Sequence, residues 1–356
     1  MFKPKVLIIN PVLAQYRIPI FNLIAQTVDL TVLHSGESVD RSDMQFRQLL
    51  MPLLNLGPFG FLRCRLNKLC KQFDVVVSEG NIRYPDRNLL IMNPKRAYKW
   101  ICWGIGVSAS YKNKFDQNKK FDAIRHFIFK RADANVFYSD YPIDKYLAAG
   151  FKRESLFVAN NTVQVDYDES KSYTKNSILF VGTLYKQKKI YELLEAYRQV
   201  CKQTDNMLPL NIIGGGDEYD NIKDWISRYG LGDKVTLTGP IFDQSILQNY
   251  FRKAYACISP GQAGLSVLTS MGYGTPFVTK SDAITGGEIF NIKNNENGVL
   301  YSDQSELEGI IWDIIKNSDR YVEMGRLSRE YYINKRTPQQ MADSLTDAIK
   351  YSLECK

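Results

Sequence analysis

The chain has 356 residues and a formal charge of +8, with 44% apolar and 24% charged residues. That is long enough for two separate cores, and the composition excludes disorder and collagen-like or repeat architecture. The charge is uneven, +11 over residues 1–165 and −3 over the remainder, so the first half suits an anionic partner such as a phospholipid surface or a lipid pyrophosphate.

Two series of strand-then-helix units run along the chain, each opening with a short apolar run that ends in a turn signal. This is the pattern of parallel sheets with crossover helices. The first series has strands predicted at 5–10, 30–34, 74–78, 100–103, 134–139 and 156–159. Segment 61–73 places Leu62, Leu66, Leu69 and Phe73 on one helical face with four cations elsewhere. Such a helix fits either an anionic membrane surface or a core, and Lys112, Lys114, Lys119 and Lys120 add to the basic character of this half. Residues 164–176, polar and poor in helix formers, read as a linker. The second series has strands predicted at 177–182, 209–213, 234–237, 256–259, 276–279 and 298–301. Near the end, Thr337-Pro338-Gln339-Gln340 combines an N-cap threonine, a proline at the first helical position and a glutamine at the third. This capping-box start predicts a final helix from Pro338.

The six cysteines show no C-x-x-C pair and read as reduced thiols of a cytoplasmic protein. No signal-like h-region and no run of about 18 apolar residues occurs, so neither secretion nor membrane spanning is expected. Of the two histidines, His34 ends a strand and His126 lies in a basic helix; both read as structural.

Three strand exits carry the chemistry. At the first, Gly182-Thr183-Leu184 is followed by Lys188, and amides plus an ammonium there suit a phosphate. At the second, Gly214-Gly215-Gly216 leads into Asp217 and Glu218, either of which could cap the next helix. At the third, Ser259-Pro260-Gly261-Gln262-Ala263-Gly264-Leu265 opens a helix that stops by Gly274. Small residues at a helix start expose amides at the positive end of the dipole, an anion site. The same helix also has a core face through Leu265, Leu268 and Met271.

In this order and spacing the three stretches resemble the donor domain of glycosyltransferase family 4, of the glycosyl transferases group 1 type. The matching positions are Gly182-Thr183-Leu184 with Lys188, Gly214 to Gly216, Val235 to Gly239, and Gly261 through Pro276. In the first half, Pro11 to Arg17 resembles the family's P-x-Y-R element, Trp103 to Gly106 its W-G-H-G turn, and Asn160-Asn161-Thr162 its hinge asparagine.

The resemblance implies the GT-B fold, an α/β class with two Rossmann-like domains facing each other across a cleft. It implies an acceptor-binding domain at 1–165, a nucleotide-sugar-binding domain at 166–336, and a C-terminal helix at 337–356 returning to the first domain. It also implies a metal-independent hexosyltransferase without cofactor, retaining anomeric configuration, that moves a sugar from a UDP- or GDP-sugar to a glycan or lipid-linked acceptor in polysaccharide or lipopolysaccharide synthesis. Its location would be cytoplasmic, peripheral at the inner face of the membrane.

Carried over residue by residue, Lys188 and Gln262 are the expected catalytic residues. Gly182, Thr183, Gly214, Gly239, Pro240, Gly261, Ala263, Gly264, Leu265 and Thr269 are the expected donor contacts, and Arg17 and Glu79 the acceptor contacts. No metal ligand and no nucleic acid is expected.

The departures are specific. Gly261 and Thr269 stand where the family commonly has its two glutamates, Thr183 replaces an arginine, and Ile105 a histidine. Gln262 offers both a donor and an acceptor to sugar hydroxyls. Two other readings follow from the same pattern, a sugar-nucleotide 2-epimerase and a GT-B pair that has lost catalysis and serves as a binding or assembly subunit.

Overall fold

A computed structural model describes residues 3–110 and 114–355. Lys112 lies outside the described residues, as does the side chain of Lys114. The chain divides into two compact units, one of residues 1–162 with 337–356, the other of residues 163–336.

In chain order the first unit has β1 (Lys5–Ile9), α1 (Ile18–Ala25), β2 (Asp29–His34), β3 (Arg47–Leu50), β4 (Leu53–Leu56), β5 (Phe59–Leu62), α2 (Leu66–Cys70), β6 (Val75–Glu79), α3 (Pro85–Met92) and β7 (Lys99–Gly104). It continues with β8 (Ala109–Ser110), β9 (Lys114–Phe115), α4 (Asp122–Phe129), β10 (Ala134–Phe137), α5 (Ile143–Ala148) and β11 (Leu156–Val158). Seven strands form one parallel sheet in the order β11-β10-β7-β6-β1-β2-β3. The Val, Ile and Leu runs of β1, β2 and β6 are buried on both faces, as parallel sheets require.

The second unit has β12 (Ser177–Val181), α6 (Ile190–Cys201), β13 (Leu210–Ile213), α7 (Tyr219–Arg228), β14 (Val235–Gly239), α8 (Gln244–Lys253), β15 (Ala254–Ile258) and β16 (Gln262–Ala263). It ends with α9 (Ser266–Gly272), β17 (Phe277–Lys280), β18 (Ile284–Thr285), β19 (Gly298–Tyr301), α10 (Glu306–Lys316) and α11 (Ser318–Lys335). Six strands form a parallel sheet in the order β14-β13-β12-β15-β17-β19. Both sheets step outward from a first strand and then reverse, the Rossmann order, which opens a crevice at β1/β6 in one and β12/β15 in the other.

The last helix, α12 (Pro338–Glu354), starts at a complete capping box: Gln340 N donates to Thr337 Oγ1 at 3.3 Å and Thr337 N to Gln340 Oε1 at 2.8 Å. It packs on α1 and under β7 and β10, burying Met341, Leu345 and Ile349 in the core of the first unit.

Two expectations give way. The 61–73 helix is not formed: residues 59–62 are a strand, and α2 is only five residues long. Leu62, Leu66 and Cys70 are buried in the core, because a hairpin with β4 satisfies the backbone there and takes the leucines inward. The 164–176 segment is not a free linker. Tyr167 lies between the guanidinium groups of Arg252 (4.1 Å) and Arg329 (3.6 Å), and Val165 packs against Gly272. Its aromatic and β-branched residues are core material despite the polar surroundings.

Candidate functional site

The β12/β15 crevice of the second unit gathers the glycine-rich exits. After β12 the chain passes Gly182 and forms a single 3₁₀ turn, Lys186–Lys188, before Lys189 enters α6 in left-handed conformation (φ 54°). This turn folds the Lys188 side chain back over Gly182, where an added Cβ would sit 3.0 Å from Lys188 Nζ. Lys188 is 6% exposed. Among the described residues no carboxylate lies within ion-pair distance of its Nζ; the Tyr185 ring is 6.0 Å away. Burial pulls the ammonium down to about 8. The nearby Cys257 thiol, pushed up to about 12 by burial, is neutral and gives no counter-charge.

The exits interlock through backbone. Gly182 N donates to Ile213 O (3.0 Å), Leu184 N to Gly215 O (2.9 Å) and Gly214 N to Gly239 O (3.0 Å). A Cβ on Gly214 would overlap the Gly182 carbonyl, and one on Gly261 would overlap the Gln187 carbonyl. The requirement for glycine at 214 and 261 is therefore met by packing alone. Gly261 N already donates to Lys188 O at 3.1 Å. The expectation that its amide is open to a ligand is corrected.

One further expectation is corrected in the same way. Neither Asp217 nor Glu218 caps α7: Glu218 accepts instead from the Tyr191 hydroxyl at 3.0 Å. Ala263 is fully buried, its methyl group turned into the core. Thr269 Oγ1 bonds back to Leu265 O at 3.2 Å, so its hydroxyl is engaged by its own helix.

What stays open is narrower. Gly264 faces space, the nearest atom to an added Cβ being Gln262 Nε2 at 3.9 Å. Val267 is the first residue of α9 to donate, to Gly264 O at 2.9 Å. The amides of Leu265 and Ser266 precede it and have no acceptor among the described residues, and Ser266 Oγ is buried without one. The Tyr185 hydroxyl donates to Gln262 Oε1. Tyr185 and Ser266 were not singled out from sequence; their polar groups come into play only through the 3₁₀ turn and the α9 start. Thr183 and Pro240 are exposed, and Gly239 (φ 78°), the last residue of β14, turns the chain into Pro240.

In the first unit, Arg17 and Glu79 stand on the exits of β1 and β6, the two strands flanking its crevice. Arg17 is 6% exposed. Its guanidinium lies 5.0 Å from the ring centres of both Trp103 and Tyr138, and Nη2 donates to Asn161 Oδ1 at 2.8 Å. It is a caged arginine rather than an open anion grip. Glu79 is half-buried and accepts from Asn81 Nδ2 at 3.0 Å. His34 is fully buried against Gln48 (3.0 Å) and His126 lies edge-on to Tyr146, its imidazole pushed down by burial. Both are structural. Arg87 is 1% exposed, 3.9 Å over the Tyr84 ring, with none of its guanidinium nitrogens hydrogen-bonded.

Among the described residues no group of three or more His, Cys, Asp or Glu could hold a metal, and no helix is long and apolar enough to cross a membrane.

Comparison with known proteins bears on this site. Residues 166–331 match the family model described as glycosyl transferases group 1. An uncharacterised glycosyltransferase of Methanocaldococcus jannaschii is 24% identical over 297 residues, 75% of this chain and 72% of that one. HepE of Anabaena, solved with UDP, superposes with a TM-score of 0.72 at 13% identity, covering 97% of this chain and 99% of its own. WaaG, a glycosyltransferase involved in lipopolysaccharide biosynthesis, superposes with a TM-score of 0.64 at 12% identity over 96% of this chain and 98% of its own. The chain has the GT-B fold of these solved structures, and its residues 166–331 match the glycosyl transferases group 1 family model.

Proposed function

We propose that the protein is a retaining glycosyltransferase that takes a sugar from a UDP- or GDP-sugar held by the second unit and passes it to a glycan or lipid-linked acceptor held by the first. The observation that carries this is Lys188, a buried ammonium without a counter-ion, placed on the strand exit beside the one that leads to the open amides of Leu265 and Ser266. A buried cation with no partner is costly, and an anionic ligand at that spot removes the cost. Open amides at the start of a helix favour the same charge.

In the reaction the bond from C1 to the diphosphate oxygen breaks as a bond from C1 to the acceptor oxygen forms. The acceptor proton passes to the leaving phosphate oxygen on the same face of the sugar. The charge that grows on the diphosphate falls to Lys188, the two amides and Ser266 Oγ, an electrostatic term of about 3–4 kcal/mol per well-placed donor. Gln262, oriented by Tyr185, takes the sugar hydroxyls in place of the glutamate that Gly261 replaces. On the acceptor side Glu79 faces the acceptor, while Arg17 holds Asn161 in place from its aromatic cage. HepE has been solved with UDP-glucose and WaaG acts in lipopolysaccharide synthesis, which supports a nucleotide-sugar donor and a cell-surface glycan acceptor. A cytoplasmic location against the inner face of the membrane belongs to the same proposal.

The test is calorimetric titration with UDP, GDP and their sugars in the presence of EDTA. Saturable binding of at least one, with slow donor hydrolysis, is expected; absence of any response across the panel sinks the reading.

A further inference from the structure

The cage around Arg17 leaves one of its aromatic rings outside. After β1 the chain makes a single 3₁₀ turn, Gln15–Arg17, that runs into α1. From this turn Arg17 points inward and Tyr16 outward, 6% and 38% exposed. The guanidinium lies 5.2 Å from the centre of the Tyr16 ring and 5.0 Å from those of Trp103, at the end of β7, and Tyr138, just past β10. β6 lies between β1 and β7 in the sheet. The β1 exit therefore reaches across the β1/β6 crevice, and Tyr16 is the most exposed ring of the stack it forms there.

The stack is held from within. Trp103 is edge-on to Phe21 (6.4 Å) and to Tyr138 (5.7 Å). Arg17 donates through Nη2 to Asn161 Oδ1 at 2.8 Å and through Nη1 to Met341 Sδ at 3.2 Å. Among the described residues no carboxylate pairs with this guanidinium, so aromatic faces take its charge. Attraction to the cation pins one side of the Tyr16 ring and leaves its remaining surface at the crevice. Val12, 60% exposed on the same loop, borders it and rests against Gly36 past β2, where an added Cβ would lie 3.4 Å from Val12 Cγ1. On the adjacent strand, Glu79 ends β6 and is paired in register with Trp103, the buried floor of the stack.

We infer that Tyr16 is an acceptor subsite: its open ring surface is a plate on which a pyranose of the acceptor stacks, with the Glu79 carboxylate in the same crevice for hydroxyls. This rests on the proposed transfer to a glycan acceptor and names the part of the first unit that receives it. The C–H groups on the apolar face of a pyranose carry partial positive charge and meet the negative face of an aromatic ring. The hydroxyls at its edge need a few placed polar groups, which is the usual make-up of a site at a strand-order reversal. A ring already held by Arg17 loses little freedom when the sugar binds. A nucleobase can stack on the same plate, and the experiment separates the two.

The experiment is saturation-transfer NMR on the full chain with methyl glycosides of glucose, galactose, mannose and N-acetylglucosamine, each with UDP present. At least one glycoside should be saturated, most strongly at its ring C–H protons. Tyr16→Leu keeps the bulk without the π-face and should weaken that binding about five- to tenfold while the UDP signal stays; Tyr16→Phe should restore it. Both substitutions are at an exposed position, and thermal midpoints check that each variant is folded. No saturation of any glycoside by the wild type, undiminished saturation by Tyr16→Leu, or no recovery in Tyr16→Phe would each overturn the inference. Loss of the UDP signal in folded Tyr16→Leu would also overturn it, by placing the nucleotide on this ring. UDP binding without glycoside binding strikes only the subsite; glycoside binding without UDP binding in the wild type strikes the donor reading and leaves the plate.

Discussion

Replacing Lys188 by methionine separates stability from function in opposite directions. The side chain is 6% exposed, and its ammonium is held at about 8 rather than 10.5 because burial disfavours the charged form. That displacement corresponds to roughly 3 kcal/mol of destabilisation at neutral pH. The unfolded chain keeps the lysine proton until about 10.5, whereas the folded protein releases it near 8. Between these values the unfolded state binds more protons, so wild-type stability rises with pH across the window by up to about 1.4 kcal/mol per unit. Below 8 the penalty is present in full.

Lys188→Met removes the charge and keeps the methylene packing, so at pH 7 the variant should be more stable by about 1–3 kcal/mol, a gap that shrinks as pH rises above 8. A residual upward slope is expected in the variant, since Lys175, bonded to Ala254 O at 2.7 Å, is also held at about 8 by burial. Donor affinity should fall about 10²-fold or more through loss of a charge-assisted contact to the diphosphate. Urea titrations at pH 7 and 9.5 and calorimetry with UDP provide both readings. A variant that is less stable at pH 7 and binds UDP as well as wild type would refute the assignment, since Lys188 would then be paired and structural.

Arg87→Met should likewise raise the thermal midpoint, by removing a buried guanidinium with no hydrogen bond, but should leave UDP affinity unchanged; a shared loss of affinity would mean that Lys188→Met acts through general loosening. Gly214→Ala forces a methyl into the Gly182 carbonyl and should cost more than about 3 kcal/mol or prevent soluble expression. Gly264→Ala meets only Gln262 Nε2 at 3.9 Å and should keep stability within about 1 kcal/mol while weakening donor binding. Chemical denaturation of the two alanine variants, compared side by side, distinguishes packing glycine from ligand-facing glycine. Arg17→Lys should destabilise by about 2 kcal/mol, because an ammonium cannot both stack on Trp103 and Tyr138 and reach Asn161, as the guanidinium does; equal melting temperatures would show the cage to be idle.

The amino-acid sequence alone was enough for the α/β class, because strands such as 6–9, 75–78 and 178–181 are apolar on both faces and each is punctuated by a glycine or polar turn. The capping box at Thr337 was equally local, being written in four consecutive residues. Segment 61–73 was not legible, since a helical spacing of leucines is satisfied as well by a hairpin strand and a short helix that turn them into the same core. The glycine motif located the candidate site, but not which of its glycines are required by packing. Sequence shows that Gly214 and Gly261 lack side chains, and only the backbone crossings with Gly182 and Gln187 show that packing claims them. Burial of Lys188, the Tyr185 to Gln262 hydrogen bond and the open amides at Leu265 and Ser266 were likewise decided by tertiary structure. Each depends on which strand exits the β12/β15 reversal brings together, and that adjacency is set by sheet order rather than by any run of residues.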